Sequence, residues 1–427
     1  MKINVMGLGY IGLPTALIFA KYGANVVGVD ISKEIVEKLN AGEVHIEEPG
    51  ISAMLQRVVD AGNFKASMTP EKADVFIIAV PTPNRQDVFK SCDLTYVKQA
   101  MLSILPYLKA GNTVIIESTV SPRTTEGVVK VMIEQAGFTV GQDIYLVHCP
   151  ERVLPGKILE ELIFNNRIIG GVTEACTKRG KEIYELFVRG ELIGSTASAA
   201  ELSKLMENTY RDVNIALANE LVKVGDALNI DALQVIEMAN RHPRVNIHQP
   251  GPGVGGHCLA VDPYFIISEA PEQTTLIQAA RQVNNAMPQF VIDKVQDLMR
   301  HYQSKTLTIL GVSYKGNTDD IRESPAMTIY KGLQALDEFD IRVYDPHVTQ
   351  SFITPDLKTA LKESELALIL CDHDVFRSLV PEAFSSMKKK IIFDTKNCIE
   401  LTEVSIDKYN MGNFNWGEKS YEGKYAF

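Results

Sequence analysis

Residues 3–6 (Ile-Asn-Val-Met) read as a short apolar strand. The chain then passes through Gly7-Leu-Gly9-Tyr10-Ile11-Gly12 into an apolar helical run at 13–22 and a second strand, Asn25-Val-Val-Gly-Val-Asp30. A strand, a glycine-punctuated turn, a helix and a strand ending on an acid make up one half of a doubly wound α/β domain. Glycines at these positions permit a tight turn and let backbone approach a pyrophosphate at the helix N-terminus, where N–H groups and the helix dipole favour an anion. Asp30 would accept hydrogen bonds from an adenosine ribose, and its charge repels a 2′-phosphate. The expected cofactor is therefore NAD, held by Gly7, Gly9, Gly12 and Asp30.

The α/β alternation continues through buried strands at 74–80, 113–117 and 145–148, which run into Pro81-Thr82-Pro83, Ser118-Thr119 and Cys149-Pro150-Glu151-Arg152. Parallel sheets bind ligands at the carboxyl ends of their strands, which places Thr82, Thr119 and Glu151 toward a cofactor crevice. Each threonine also suits a helix N-cap or a turn, and Glu151-Arg152 also suits a surface ion pair. Residues 199–229 contain no proline and a single glycine, and read as one long helix. Glu201, Lys204, Asn208 and Arg211 (or Asp212) share one face of it, with Leu202, Leu205 and Met206 opposite. Such a face is either a solvated stripe or a set of polar groups reaching a bound substrate. Arg281-Gln-Val-Asn-Asn285 is expected to close this helical region.

A second α/β unit opens near Leu307, with strands at 307–311, 341–345, 366–370 and 390–394 and a helix at 324–336. It echoes the first, down to a strand ending in Asp345, but carries Gly311-Val-Ser-Tyr-Lys315-Gly in place of the glycine fingerprint. It is expected to hold a different nucleotide, with Lys315, Arg322 and Lys396 as cations for a diphosphate. The expected fold is thus α/β, with two Rossmann-like doubly wound domains (1–198 and 301–427) joined by a long central helix and a helical dimerisation region (199–300).

Composition excludes some functions. At 427 residues, 45% hydrophobic and 22% charged, the chain has the balance of a soluble globular protein of two or three domains. A net charge of -10 argues against general binding to nucleic acid or anionic membranes. No apolar run reaches the length of a membrane span, and Met1-Lys2 leads straight into a strand rather than a signal peptide, so a cytoplasmic location is expected. The six cysteines are scattered, without paired or zinc-type spacing, so neither disulfides nor a metal are expected.

One cysteine stands apart, in Gly251-Pro-Gly-Val-Gly255-Gly-His257-Cys258-Leu-Ala-Val261-Asp262. Four glycines and two prolines in residues 250–257 bar helix and strand alike. A thiol presented on such a loop is a candidate nucleophile; the plain alternative is a small buried cysteine after a turn. Beside a dinucleotide domain the thiol acquires a use. Oxidising an alcohol to a carbonyl needs a base and an orienting group but no thiol. Carrying an aldehyde on to an acid proceeds through a thiohemiacetal, a second hydride transfer and a thioester that water hydrolyses. A four-electron oxidation of a nucleotide-linked primary alcohol is the reaction that joins these parts.

Seven stretches carry a family resemblance: Gly7-Leu-Gly-Tyr-Ile-Gly-Leu-Pro14, Cys149-Pro-Glu-Arg-Val-Leu-Pro-Gly156, Asn166-Arg-Ile-Ile-Gly-Gly171, Arg211-Asp-Val-Asn-Ile-Ala216, Asn240-Arg-His-Pro-Arg-Val-Asn-Ile247, the 251–262 loop and Arg322-Glu-Ser-Pro-Ala326. Over nearly its full length the chain resembles the UDP-glucose/GDP-mannose dehydrogenase family. The resemblance implies that Cys258 is the nucleophile, that Lys204 and Asp262 handle protons and stabilise a developing oxyanion, that Asn208 holds the sugar or a water, and that Glu151 is a base or orients the hydrolytic water. It implies a UDP-sugar lined by Arg152, Val153, Lys204, Asn208, Arg211, His242, Arg244 and Gly255, with Tyr314 and Lys315 reaching it from the second Rossmann-like domain. NAD would touch Tyr10, Ile11, Asp30, Thr82, Thr119 or Thr125, and Arg322. A homodimer is implied too, His242 or Arg244 coming from the neighbouring subunit. Two departures bear on the substrate: UDP-glucose enzymes carry Lys where this chain has Val261 and Ser where it has His257. Both point toward an N-acetyl sugar, with UDP-N-acetylmannosamine the expected substrate. Residues 84–93 and the 410–427 tail receive no role.

Overall fold

The structure is a computed structural model that describes residues 1–401, 403 and 405–414; residues 415–427 of the tail lie outside the described residues. The chain divides into two compact units, Met1–Glu207 with Tyr264–Gln273, and Asn208–Pro263 with Thr274–Phe427.

The first unit is built on an eight-stranded sheet of β1 (Lys2–Met6), β2 (Asn25–Val29), β3 (Phe64–Ser67), β4 (Val75–Ile78), β5 (Thr113–Ile116), β6 (Tyr145–His148), β7 (Arg167–Gly171) and β8 (Leu192–Thr196), in the order β3-β2-β1-β4-β5-β6-β7-β8. The first six keep the order of a doubly wound dinucleotide domain. Helices cover both faces of such a sheet, so its central strands are apolar throughout: all four residues of β4 and of β5 are buried. β6 and β7 pair antiparallel, at Val147 with Gly171 and His148 with Gly170, while every other neighbour pair is parallel. β3, β7 and β8 were not legible in the sequence, because polar residues or glycines interrupt each run (Phe-Lys-Ala-Ser, Arg-Ile-Ile-Gly-Gly, Leu-Ile-Gly-Ser-Thr).

The second unit carries a five-stranded sheet of β9 (Thr306–Leu310), β10 (Asp340–Tyr344), β11 (Leu366–Ile369), β12 (Ile391–Asp394) and β13 (Asp407–Asn410), in the order β10-β9-β11-β12-β13 and parallel throughout. It repeats the main hydrogen bonds of the first unit at its opening turn. The Gly7 N–H donates to the Val29 carbonyl and the Gly311 N–H to the Tyr344 carbonyl, both at 2.8 Å. The two glycines have φ of 89° and 85°. An acid follows each second strand and accepts the next N–H of the turn: Asp30 from Leu8 at 3.0 Å, Asp345 from Val312 at 2.8 Å.

The central helix spans Ala197–Leu228. Asp212, buried on it, pairs with Arg281 at 2.6 Å and accepts from the Asn284 amide at 2.8 Å. Those partners sit within a 27-residue helix, Thr275–His301, so the 281–285 stretch does not close the helical region as the sequence suggested; the helix runs on past Pro288. The apolar face expected opposite Lys204 divides, with Leu205 buried and Leu202 and Met206 exposed. Among the described residues, no helix is long and apolar enough to cross a membrane, and no His, Cys, Asp and Glu group is arranged to hold a metal ion.

Candidate active site

In the first unit the glycine turn divides its labour. A Cβ on Gly12 would lie 1.9 Å from the Gly7 carbonyl oxygen, whereas one on Gly9 would meet nothing within 4 Å. Gly12 closes the turn on itself, and Gly9 leaves open space for a ligand to approach the backbone. The helix that follows, Gly12–Lys21, has no side-chain cap at its N-terminus; its Leu13 N–H donates to the Gly9 carbonyl at 3.1 Å and Pro14 has none, so a pyrophosphate would be met by the N–H groups of the turn that leads into it. Asp30 is fixed by N–H groups of Leu8 (3.0 Å) and Ser32 (2.9 Å) and keeps further acceptor capacity for a ribose. Tyr10 is exposed and Ile11 half-buried at the same turn. These residues fit NAD.

Thr82 caps no helix; its hydroxyl donates to the Thr119 carbonyl at 2.5 Å and ties together the segments that follow β4 and β5. Thr125 is buried, and its N–H and that of Arg123 donate to the Glu201 carboxylate at 2.8 and 2.6 Å. Glu201 is therefore an internal cap rather than part of an open stripe with Lys204, and burial pushes its carboxyl up to about 7.

Glu151 does not pair with its neighbour. One carboxylate oxygen accepts the Arg152 N–H at 2.7 Å and the other is ion-paired with Arg167. Arg167 is buried, lies over the Tyr184 ring (4.6 Å to its centre) and reaches Glu117 at 3.3 Å. Glu117 accepts from the Tyr184 hydroxyl (2.5 Å) and the Thr15 hydroxyl (3.1 Å), and burial pushes it up to about 7. Arg152 instead bonds Glu207 at 2.7 Å and the Asn166 carbonyl, with Val153 half-buried beside it. Sequence reasoning missed Arg167; the signal was a charged residue opening an otherwise apolar strand. His148, at the end of β6, is buried with no partner for Nδ1. Burial, with the Lys204 ammonium adding to it, pushes His148 down to about 3, so it stands neutral beside a buried lysine.

In the second unit Cys258 is exposed, while Cys92, Cys149, Cys176 and Cys371 are buried and Cys398 is half-buried. Burial pushes Cys92, Cys149 and Cys398 up to about 12, which leaves those thiols inert. The loop before Cys258 is shaped by contact. Gly256 has φ 84°, and a Cβ there would lie 2.7 Å from the Tyr314 ring; one on Gly255 would lie 2.5 Å from the Glu323 carbonyl oxygen. The Cys258 carbonyl accepts the N–H groups of Val261 (3.0 Å) and Asp262 (2.9 Å), which sets the thiol one turn ahead of the helix Asp262–Glu269. Asp262 is buried and receives the Asn208 side-chain amide at 2.6 Å. His257 pairs with Asp320 at 3.1 Å, and Arg322 forks onto the same carboxylate at 2.9 and 2.7 Å, holding it well below the usual carboxylate range.

Arg211, His242, Arg244 and Lys315 are exposed. The loop bearing His242 and Arg244 is closed at its base by the Asn240 side chain, which accepts the Ile247 N–H at 2.7 Å and donates to the Ile247 carbonyl at 2.9 Å. Lys396 lines a cavity of about 280 Å³ together with Gln249, Pro250, Gly251, Asp372 and Arg377. Asp372 lies 3.8 Å from the Lys396 ammonium and 2.5 Å from Arg377. Arg377 carries no signal in the sequence; only the fold brings it beside the loop that leads to the thiol. The structure thus gathers Asn208, Asp262 and Cys258 in one unit with Gly255, Tyr314, Lys315 and Lys396, while the glycine turn, Glu151 and Lys204 belong to the other.

Known proteins are similar to this chain over most of its length. The NAD binding domain of the UDP-glucose/GDP-mannose dehydrogenase family matches residues 1–188, its central domain 198–286 and its UDP binding domain 308–401. The UDP-N-acetyl-D-mannosamine dehydrogenase of Methanocaldococcus jannaschii is 46% identical over 406 residues, covering 93% of this chain and 92% of its own. An NDP-N-acetyl-D-galactosaminuronic acid dehydrogenase of Ralstonia solanacearum is 42% identical over 407 residues, 92% of this chain and 95% of its own. Among solved structures, the UDP-N-acetyl-mannosamine dehydrogenase Cap5O of Staphylococcus aureus superposes with a TM-score of 0.92 at 56% identity, covering 97% of this chain and 99% of the other.

Proposed function

Because the chain belongs to the UDP-glucose/GDP-mannose dehydrogenase family, we propose that it oxidises the C6 hydroxyl of UDP-N-acetyl-D-mannosamine to the carboxylate. It is an NAD-dependent oxidoreductase acting on a nucleotide sugar. The choice of sugar rests on Val261 and His257 and on relatives whose names carry that substrate. The observation that carries the mechanism is the exposure of Cys258 on a glycine loop, one turn ahead of the helix Asp262–Glu269.

NAD, when bound, would supply the hydride acceptor for both oxidation steps. Lys204, with Asp262, takes the hydroxyl proton as the C6 alcohol becomes an aldehyde. The Cys258 thiolate then adds to the aldehyde carbon and the new alkoxide is protonated, giving a thiohemiacetal. Loss of that proton and of the remaining C6 hydride leaves a thioester on Cys258. Water attacks the thioester carbon, the carbon–sulfur bond breaks, and carboxylate and thiol are released. Glu151, ion-paired with Arg167, orients that water or takes its proton. Asn208 fixes Asp262 and the sugar, and Arg152, Val153, Arg211, His242, Arg244, Gly255, Tyr314, Lys315 and Lys396 line the UDP-sugar. Gly7, Gly9, Tyr10, Ile11, Gly12, Asp30, Thr82, Thr119, Thr125 and Arg322 serve NAD.

A panel of UDP-ManNAc, UDP-GlcNAc, UDP-GalNAc and UDP-glucose scored by NADH formation tests the substrate; UDP-ManNAc is expected to lead, and preference for UDP-GalNAc would favour the reading suggested by the Ralstonia relative. Cys258→Ala is expected to form no uronate. A variant that made uronate at the wild-type rate would refute the thioester route.

A further inference from the structure

The turn at 313–317 bears Tyr314 and Lys315, and its position is set by a side chain more than fifty residues away. Within the turn, the Ser313 and Thr318 hydroxyls donate to the Lys315 carbonyl at 2.8 and 3.0 Å. Asn317, in the left-handed region at φ 60°, directs its N–H at Nδ1 of His373, 2.9 Å away, and its side-chain oxygen accepts the Asp374 N–H at 3.0 Å. His373 is fully buried, with Nε2 3.1 Å from Asp345 and 3.3 Å from the Ser313 hydroxyl. Burial disfavours charge on this ring and Asp345 raises it to about 9, but an N–H aimed at Nδ1 needs a lone pair there, so the geometry assigns the neutral ring with its proton on Nε2, facing Asp345. Asp345 is saturated: it already accepts N–H groups from Val312, His347 and Val348 at 2.8 to 3.1 Å. Its counterpart Asp30 receives two N–H groups and is half-buried rather than sealed. In the second unit the acid at the end of the second strand is thus spent on the protein's own histidine, and the histidine on the turn.

We propose that His373 is a positioning residue for nucleotide-sugar binding, fixing the 313–317 turn so that Tyr314 and Lys315 meet a diphosphate-bearing nucleotide in one preset arrangement. This rests on the function proposed above. A long exposed lysine loses side-chain freedom on binding, and a turn already fixed spares the further cost of ordering backbone. Tyr314 also abuts Gly255 and Gly256, so the same anchor braces the loop that presents Cys258.

Two isosteric variants of the full chain separate the two ring nitrogens. His373→Asn keeps an acceptor where Nδ1 stood, while His373→Gln keeps a donor where Nε2 stood and leaves the Asn317 N–H without a partner. Amide hydrogen exchange of residues 313–317 without ligand is expected to quicken in His373→Gln and to stay near wild type in His373→Asn. UDP affinity by calorimetry is expected to fall by about tenfold in His373→Gln, the equivalent of one lost hydrogen bond, with NAD affinity unchanged and His373→Asn retaining most of the UDP affinity. Equal exchange in both variants, or wild-type UDP affinity in a folded His373→Gln, would overturn the proposal. A wild-type protein that took up no UDP would count against the function itself, and the exchange comparison would still decide the anchor.

Discussion

Arg167 is the residue on which the first unit's ionic core turns: it is buried and faces Glu117 on one side and Glu151 on the other, with the Tyr184 ring beneath. Burial disfavours the Glu117 carboxylate more than Arg167 favours it, so its proton is held up to about 7 against an ordinary 4.5. The folded protein therefore binds that proton more tightly than the unfolded chain. The resulting stability is complete below the ordinary carboxyl value and is lost as pH rises through about 7. Glu201 has the same sign and the same window. In Glu117→Gln, which holds the neutral shape at every pH, thermal unfolding midpoints are expected to decline less than wild type between about pH 5 and 8; parallel declines would show that Glu117 is ionised in the folded state. Gly256 makes a separate case. Its φ of 84° and the Tyr314 ring 2.7 Å from any added Cβ mean that Gly256→Ala must shift the loop carrying Cys258. A loss of about a hundredfold in kcat is expected for an ångström-scale misplacement, together with a lower unfolding midpoint from the strained backbone. An active Gly256→Ala protein would show that the loop tolerates another path.

The central helix carries exposed apolar side chains at Leu202, Met206, Tyr210, Leu217, Val224 and Leu228. Their spacing of four and seven keeps them on one seam, the pattern of a helix that packs against a partner. An apolar stripe of that length suits an association surface, and the homodimer expected from the sequence would use it. Leu217→Glu combined with Val224→Glu is expected to convert a dimer to a monomer in sedimentation equilibrium; a wild-type protein that sediments as a monomer would remove the dimer altogether. This helix was legible in the sequence because thirty residues without proline leave little else for the chain to do. β8 was not, since three of its five residues are exposed and it has no buried face to impose a pattern. Arg281 to Asn285 does not end the helix Thr275–His301, because Arg281 points inward to Asp212 and the helix continues beyond it.

At the scale of the whole chain, one α/β plan is used twice, and the repeat was visible in the primary structure because its marks are local: a glycine after the first strand, an acid after the second. Cys258 and Asp30 were legible for the same reason, each set by the residues next to it. Arg167, Arg377 and His373 were not. Arg167 takes its meaning from Glu151 and Glu117, sixteen and fifty positions away, and His373 from Asn317, fifty-six away. Separations of that size are set by the tertiary fold, and no local pattern announces them. The proposed route depends on a single thiol, Cys258, serving after the first oxidation and before the second. The most direct test is the ratio of NADH formed to UDP-ManNAc consumed when the reaction is run to completion. Two NADH per sugar, with the 6-carboxylate as product, is the expected result; one NADH per sugar, with an aldehyde left in solution, would contradict it.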